Sequence, residues 1–215
     1  MILAIYGAGG TGKSICDEIV RAEKERHTYE EVIFVDDVCG EKECYGLRVF
    51  TFEEAKKTFR TDEVEFLIAM GDPELKEKLF LEVKAAGYGF AVWIHPKAEV
   101  SPSVKIGEGT MIDNCYIDNN VVLGRNVFVY PQAIIGHDTQ IKDHCVISVR
   151  SFMGGHCVLE DKVYYGPCAV ARDGIHIGKG AVVGINAALY KDVPEYHAAI
   201  GNPARNMARA KDKLF

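Results

Sequence analysis

The sequence is short of positive charge. It sets 25 lysines and arginines against 31 acids, for a net charge of −6 with histidine neutral. A chain with that balance has no basic face for a nucleic-acid backbone, so no nucleic-acid partner is expected. It also lacks the uninterrupted apolar run of about 20 residues that a membrane-spanning helix requires. Its first residues, MILAIYGAGG, have no basic segment of the kind that opens a secretory signal. Seven cysteines are present, but none has zinc-site spacing, and Cys39 and Cys44 are too isolated to be half of a metal site. An odd number of scattered thiols reads as reduced cysteine in a cytoplasmic protein, with no metal expected. What remains is a globular chain of 215 residues, 48% hydrophobic, able to hold one large domain or two small ones.

The stretch LAIYGAGGTGKS satisfies two phosphate-loop patterns at once. Gly7 to Gly12 fit G-x-G-x-x-G, and Gly7 to Ser14 fit G-x-x-x-x-G-K-[ST]. Both patterns follow a strand and open a helix, so the wider chain must decide. ILAIYG, EVIFVDD and EFLIAMGD read as buried strands, with helices from Gly12 to about Lys24, in FTFEEAKKTF, and after Asp72-Pro73, where Gly87 ends the last of them. AVWIHP leads out as a final strand. Alternating strands and helices imply a small parallel α/β sheet over residues 1–93. That is too short for the core of a P-loop hydrolase, although Asp72 could imitate a magnesium-binding acid. Half a Rossmann sheet holds about one mononucleotide. Asp36 and Asp37 sit where a second strand would bring them to a ribose or base.

From about residue 94 the period changes to six. Aliphatic residues recur at Ile94, Val100, Ile106 and Ile112, slip by one residue, and resume at Ile117, Leu123, Val129, Ile135, Ile141, Ile147, Met153 and Leu159. The series weakens at Tyr165 and Ala171 and returns at Ile177, Val183 and Leu189. Small or β-branched residues follow many of these by four, from Val121 through Cys145 and Cys157 to Ala169. A helical period of 3.6 cannot sustain a spacing of six, whereas a solenoid of short strands and tight corners can. The hexads occupy residues 94–193. The tail, 194–215, breaks the repeat and is expected to close in a short helix.

These hexads resemble the hexapeptide-repeat family, which implies a left-handed parallel β-helix with three hexads per triangular coil, so that residues 18 apart stack at one corner. YGAGGTG, IFVDD, IAMGD, IHPKAEVSPSVKIG, GHD and GNPA together extend the resemblance along the whole chain. It looks like the nucleotide-amino-sugar and sialic-acid acetyltransferases, of the bacillosamine-pathway N-acetyltransferase type. The resemblance makes the N-terminal part a Rossmann-like domain that holds a sugar nucleotide. Gly9, Gly10 and Thr11 then contact the sugar nucleotide, and Asp36 and Asp37 its nucleoside end. On this reading Lys13-Ser14 is a coincidence of sequence. The resemblance also implies a homotrimer that uses acetyl-CoA.

Acetyl transfer needs a base, donors for a developing oxyanion, and alignment of the two substrates. The family's His-acid pair falls on His137 as base and Asp138 as its orienting partner, the pairing that fixes an imidazole tautomer in hydrolases. Stacking by 18 puts Gly155 over His137 and His156 over Asp138. The resemblance, in whose enzymes a backbone N–H at such a glycine binds the thioester carbonyl oxygen, makes Gly155 the oxyanion candidate, and His156 is a partner of Asp138 or a contact for acetyl-CoA or the sugar. Gly184 and Ile185 lie at the coil edge where the resemblance puts the pantetheine arm, and Arg205 could meet a CoA phosphate. One departure stands out: relatives of this type carry a second histidine nine residues after the base, and here that position is Val146. The expected activity is N-acetylation of a nucleotide-linked 4-amino sugar in the cytoplasm. O-acetylation of a sugar or sialic acid is the alternative on the same fold, and a nucleotide-sugar-binding scaffold is the non-enzymatic one.

Overall fold

The computed structural model describes residues 1–208 and consists of two stacked architectures. The first is a six-stranded sheet in the order β3-β4-β2-β1-β5-β6. Its elements are β1 (Ile2–Tyr6), α1 (Gly10–Arg26), β2 (Glu31–Val35), β3 (Glu43–Cys44), β4 (Leu47–Phe50), α2 (Phe52–Thr58), β5 (Val64–Ile68), α3 (Pro73–Ala85) and β6 (Gly89–Phe90). All neighbours are parallel except β3, which forms a hairpin with β4. β1 lies centrally, so both of its faces are buried and its sequence is almost wholly apolar. Local chemistry fixes the helix starts. Thr51 and Glu54 make a reciprocal capping box on α2, and the Asp72 carboxylate accepts from the Glu74 and Leu75 amides before Pro73 opens α3.

The second architecture is the left-handed β-helix, built almost entirely from two-residue strands. One face stacks Trp93–Ile94, Met111–Ile112, Phe128–Val129, Val146–Ile147, Tyr164–Tyr165 and Val182–Val183. The second stacks Glu99–Val100, Tyr116–Ile117, Ile134–Ile135, Phe152–Met153, Val170–Ala171 and Ala188–Leu189. The third stacks Lys105–Ile106, Val122–Leu123, Gln140–Ile141, Val158–Leu159 and His176–Ile177. The second residue of each pair is the hexad aliphatic and points inward. From Ile112 onward these residues are buried in one continuous core with Val121, Val127, Ala133, Cys145, Cys157, Val163 and Ala169. The one-residue slip shortens a single corner, so Ile112 pairs with Val129, 17 residues on, while Val129 pairs with Ile147, 18 residues on.

Two sequence expectations change. AVWIHP does not join the α/β sheet: Trp93–Ile94 is the first rung of the solenoid, paired to Met111–Ile112, and Gly89–Phe90 supplies the sheet's last strand. The tail forms an antiparallel hairpin, His197–Ile200 with Arg205–Ala208, turning at GNPA and continuing the first face. The expected closing helix would involve residues 209–215, which lie outside those described.

The sheet domain sits on the first face. Trp93, Met111 and Phe128 point outward from the solenoid into one apolar cluster with Leu3, Ile5, Ile15 and Ile19. Polar ties flank this seam: His95 to Glu18 at 3.1 Å, Arg26 to the Ile94 carbonyl at 3.1 Å, and Lys162 to both Glu74 and Glu77.

Candidate active site

From Asn120 to Asn186 each solenoid corner turns the chain in a few residues, with one residue in a left-handed conformation. Asn120, Asn126, Gln132, Asp138, His144, Arg150, His156, Lys162 and Cys168 all have positive φ, six apart. Asp138 and His156 are two such positions on successive coils, so their side chains leave the same corner together. The His156 amide donates to the His137 carbonyl at 2.9 Å and joins the two coils there.

His137 Nδ1 lies 2.8 Å from Asp138 Oδ2. The ionised carboxylate can only accept, so Nδ1 carries the proton and Nε2 presents a lone pair, the tautomer a general base needs. The Asp138 hydrogen bond is the main cause of an upward shift of the His137 imidazole from its ordinary value, with Asp118 and Asp173 adding to it. Asp138 is lowered in turn by His137 and by the Asn120 amide, which donates to its Oδ1 at 3.2 Å. The His156 ring meets that of His137 edge-on, centroids 4.9 Å apart, with its Nε2 4.0 Å from Asp138 Oδ2. Sequence stacking and structure therefore agree on this constellation.

Gly155 lies under the His137 ring. A Cβ at that position would fall 2.7 Å from both Cε1 and Nε2 of the imidazole, so only glycine leaves the His137 ring in place. The Gly155 amide donates to Asp173 Oδ1 at 3.0 Å. It is therefore already engaged, and an oxyanion would have to share or displace that bond. His137, Asp138 and His156 bring three ligand-type atoms within 4.8 Å of one another. The Nδ1–Oδ2 separation is nonetheless a hydrogen bond, tighter than the roughly 3.3 Å between ligands around a tetrahedral zinc. The corner is arranged as a proton-transfer pair.

The glycine loop lies at the C-terminal edge of the sheet, between β1 and α1. Gly9 is the N-cap of α1, without a side-chain cap and without an acid in the first turn. The space where Cβ atoms of Gly9 and Gly10 would lie is open. An uncapped helix start facing open space suits an anion. Gly12 has a different reason: a Cβ there would collide with the Gly7 carbonyl, so it serves close packing of helix on strand. Lys13 turns its ammonium over the Tyr45 ring, 5.7 Å from the centroid.

The structure sets Asp36 and Asp37 at the end of β2 with their oxygens in use. Asp36 accepts from the Ala8 amide at 2.7 Å and from the Val38 and Cys39 amides at 2.8 Å each. Burial works against its charge, but these three amides outweigh it and the carboxyl is lowered. Asp37 accepts from the Phe52 amide and the Tyr6 hydroxyl. Both acids thus brace the loops beside the glycine loop.

Tyr130 is a residue that sequence reasoning missed. It leaves the solenoid's first face, stacks on Phe128 with centroids 4.0 Å apart, and brings its hydroxyl 3.3 Å from Thr11 Oγ1 in the glycine loop. The aromatic pair flanking core residue Val129 was its only sequence signal. Gly184 is buried, whereas Ile185 is exposed, at the corner between the first and second faces. His137 occupies the corner between the second and third. Within one chain the width of the second face separates them. Val146 is buried on the first face. His176 pairs with Glu160, and His95 and His144 are buried in junction contacts.

The hexads thus form the triangular prism of a left-handed β-helix, with a His-Asp pair on an outward corner. Residues 2–83 match the PglD N-terminal domain. The whole chain superposes on the acetyltransferase domain of PglB from Neisseria gonorrhoeae FA1090, a structure in complex with acetyl coenzyme A, with a TM-score of 0.89 at 26% identity over 96% of this chain and 98% of that one. WeeI from Acinetobacter baumannii AYE gives 0.87 at 27% identity over 96% and 100%. The fold is shared too with perosamine N-acetyltransferase from Caulobacter crescentus, a point mutant of which was solved with CoA and GDP-perosamine (TM-score 0.87, 24% identity, 97% and 98% covered). Residues 2–83 thus match a PglD N-terminal domain, and the fold of the chain is the one that these acetyltransferases have.

Proposed function

We propose that this protein transfers the acetyl group of acetyl-CoA to the amine of a nucleotide-linked 4-amino sugar. The observation that carries the reading is the His137–Asp138 pair, on an outward corner of a chain that also holds an uncapped glycine loop suited to a phosphate. Acetyl-CoA is the co-substrate of the reading, and the PglB domain it resembles was solved with that molecule.

The sugar nucleotide lies over Gly9, Gly10 and Thr11, with its nucleoside toward the loop braced by Asp36 and Asp37. As the amine attacks the thioester carbonyl, His137 Nε2 takes its proton and Asp138 holds the imidazolium. Collapse of the tetrahedral intermediate breaks the C–S bond. The proton passes to the departing sulfur, giving amide and free CoA thiol. The Gly155 amide serves the oxyanion by sharing the donor it gives to Asp173, and His156 borders the acceptor.

The working unit is a homotrimer. Tyr116, Ile134, Phe152 and Val170 stack in register on the second face and are 44%, 42%, 42% and 41% exposed. An apolar stripe beside the catalytic corner suits the neighbouring prism. His137 of one copy then faces the Gly184–Ile185 edge of the next, with CoA between them. Acetyl-CoA and nucleotide sugars are cytoplasmic metabolites, and the reaction belongs there.

O-acetylation is the second reading, and one observation favours it: Asp118, Asp138 and Asp173 all act on the His137 site. Carboxylates hold an amine protonated and do no harm to a hydroxyl. The deciding experiment is a mass-spectrometric screen with acetyl-CoA and UDP-, dTDP- and GDP-linked 4-amino sugars beside their hydroxyl counterparts. Acetylation of one amino sugar fixes reaction and nucleotide together. Acetylation of hydroxyl sugars alone moves the assignment to O-transfer, and nucleotide-sugar binding without any product leaves the scaffold.

A further inference from the structure

Among the described residues, one charged side chain has no exposed surface. Lys76, on α3, is 0% exposed. Its Nζ donates to the Ile68 carbonyl and to Asn126 Oδ1, each at 3.0 Å, and lies 5.9 Å from the centre of the Phe128 ring. Both hydrogen-bond partners are neutral. A buried ammonium without a carboxylate is costly, and Leu or Met would fill the same volume without that cost. Its burial pulls the amine down to about 7.

The partners show what the cost secures. Ile68 is the last residue of β5, and the turn after it, Ala69 to Asp72, walls the glycine loop. A Cβ on Gly7 would meet Met70 Cε at 2.8 Å and the Ala69 carbonyl at 3.1 Å. Asn126 belongs to the solenoid, at a left-handed corner two residues before Phe128. Its amide nitrogen reaches the Lys76 carbonyl at 3.0 Å and His144 Nδ1 at 2.9 Å. With its oxygen accepting from Nζ, both N–H donors of the Asn126 side chain and one of its acceptor lone pairs are used. The same stretch of solenoid carries Tyr130 to Thr11, its hydroxyl 3.8 Å from where a Cβ of Gly71 would lie in that turn.

We infer that Lys76 is a positioning residue for the transfer, tying the pocket end of β5 to the solenoid corner at Asn126 and so fixing the nucleotide pocket relative to the prism that carries His137. This inference rests on the reading of the glycine loop as the sugar-nucleotide site. Losing the tie lets the 69–72 turn and α3 shift against the prism, while the catalytic corner keeps its own ladder. The effect falls on one substrate only.

The test is steady-state kinetics on the full chain with the nucleotide sugar that the wild-type protein acetylates, comparing Lys76→Met, Asn126→Gly and Asn126→Asp. Glycine suits the left-handed backbone of residue 126 and removes the tie, whereas aspartate keeps an acceptor for Nζ. Lys76→Met and Asn126→Gly are expected to raise KM for the sugar nucleotide roughly tenfold, the scale of a lost charge-assisted hydrogen bond. KM for acetyl-CoA should stay unchanged, and Asn126→Asp, which keeps the acceptor for Nζ but loses the two N–H donations, should raise the sugar-nucleotide KM less than Asn126→Gly. A purely structural lysine would lower the melting temperature and the active fraction without separating the two constants, and that result overturns the inference. Should Lys76→Met fail to fold, the contrast between the two Asn126 variants decides. If no sugar is acetylated, calorimetric titration with UDP, dTDP and GDP replaces kinetics. Weaker binding by the Lys76→Met and Asn126→Gly variants upholds the tie, and equal binding refutes it. Binding of none by the wild-type protein refutes the site reading itself and the inference with it.

Discussion

The imidazole of His137 can serve as a base only while Nε2 is unprotonated, and the Asp138 hydrogen bond sets where that occurs. Asp138 raises the imidazole, so kcat/KM should fall on the acid side through a limb lying above the ordinary histidine range. Asp138→Asn removes the carboxylate and should move that limb toward lower pH while reducing the plateau, a shift read directly from the pH–rate profile. A limb that stays put would show that another group titrates. His137→Ala removes the base altogether and should cost roughly 10²–10⁴ in turnover, the usual size of general-base loss, with acetyl-CoA still bound in a calorimetric titration. Gly155→Ala tests the geometry without touching the base: its methyl would occupy space now held by the imidazole. Activity should drop while thermal unfolding changes little, because the group the methyl meets is the exposed His137 ring, which can swing into solvent without disturbing the core.

At the scale of elements, Lys76 makes α3 sensitive to pH, and the sign can be worked out. In the unfolded chain its amine titrates near 10.4. Folded, it titrates at about 7. Between those values the unfolded state binds the extra proton, so this group makes stability rise with pH across that window and contributes no slope below it. Cys16, raised to about 11, and Cys115, to about 12, act in the opposite direction above the ordinary thiol range. The clean reading is therefore the difference between wild type and Lys76→Met in denaturant midpoint from pH 7 to 10, which should grow with pH. The groups facing this network are Cys145 toward Lys76, with Asp143, Glu77 and Arg125 toward a His144 that burial keeps low. None of this was legible in PELKEK, which reads as an ordinary polar helix surface. The burial of Lys76 comes from the solenoid packed against that helix, which no local pattern encodes. The hexads were legible because each inward aliphatic sits in a two-residue strand and the period survives the one-residue slip. His137 and Asp138 were singled out by the family resemblance, and the stacking of Gly155 and His156 on them followed from the hexad arithmetic. Asp36 and Asp37 were located correctly along the chain, but their bonds to Ala8, Tyr6 and Phe52 depend on loops that meet only in the fold.

The whole molecule presents a mismatch within one chain: the glycine loop touches the corner at Tyr130, while the proposed base occupies the next corner round the prism. The second face lies between them and carries the exposed column of Tyr116, Ile134, Phe152 and Val170. In the proposed trimer a neighbouring prism covers that column and brings the edge carrying Gly184 and Ile185 against the base, so activity and assembly should be lost together. Phe152→Asp places a charge in the middle of the column, where burial against another copy would cost several kcal/mol. In the free chain the same side chain is solvent-exposed and the solenoid core, with Met153 inward beside it, is untouched. Light scattering coupled to size exclusion should then show a folded monomer with an unaltered circular dichroism spectrum and no acetyl transfer. Nucleoside diphosphate binding should persist, because the glycine loop, Tyr130 and the Lys76 tie all lie within one chain. A monomeric variant that still transferred acetyl groups would mean that a single prism carries the entire site, with CoA running across the open second face.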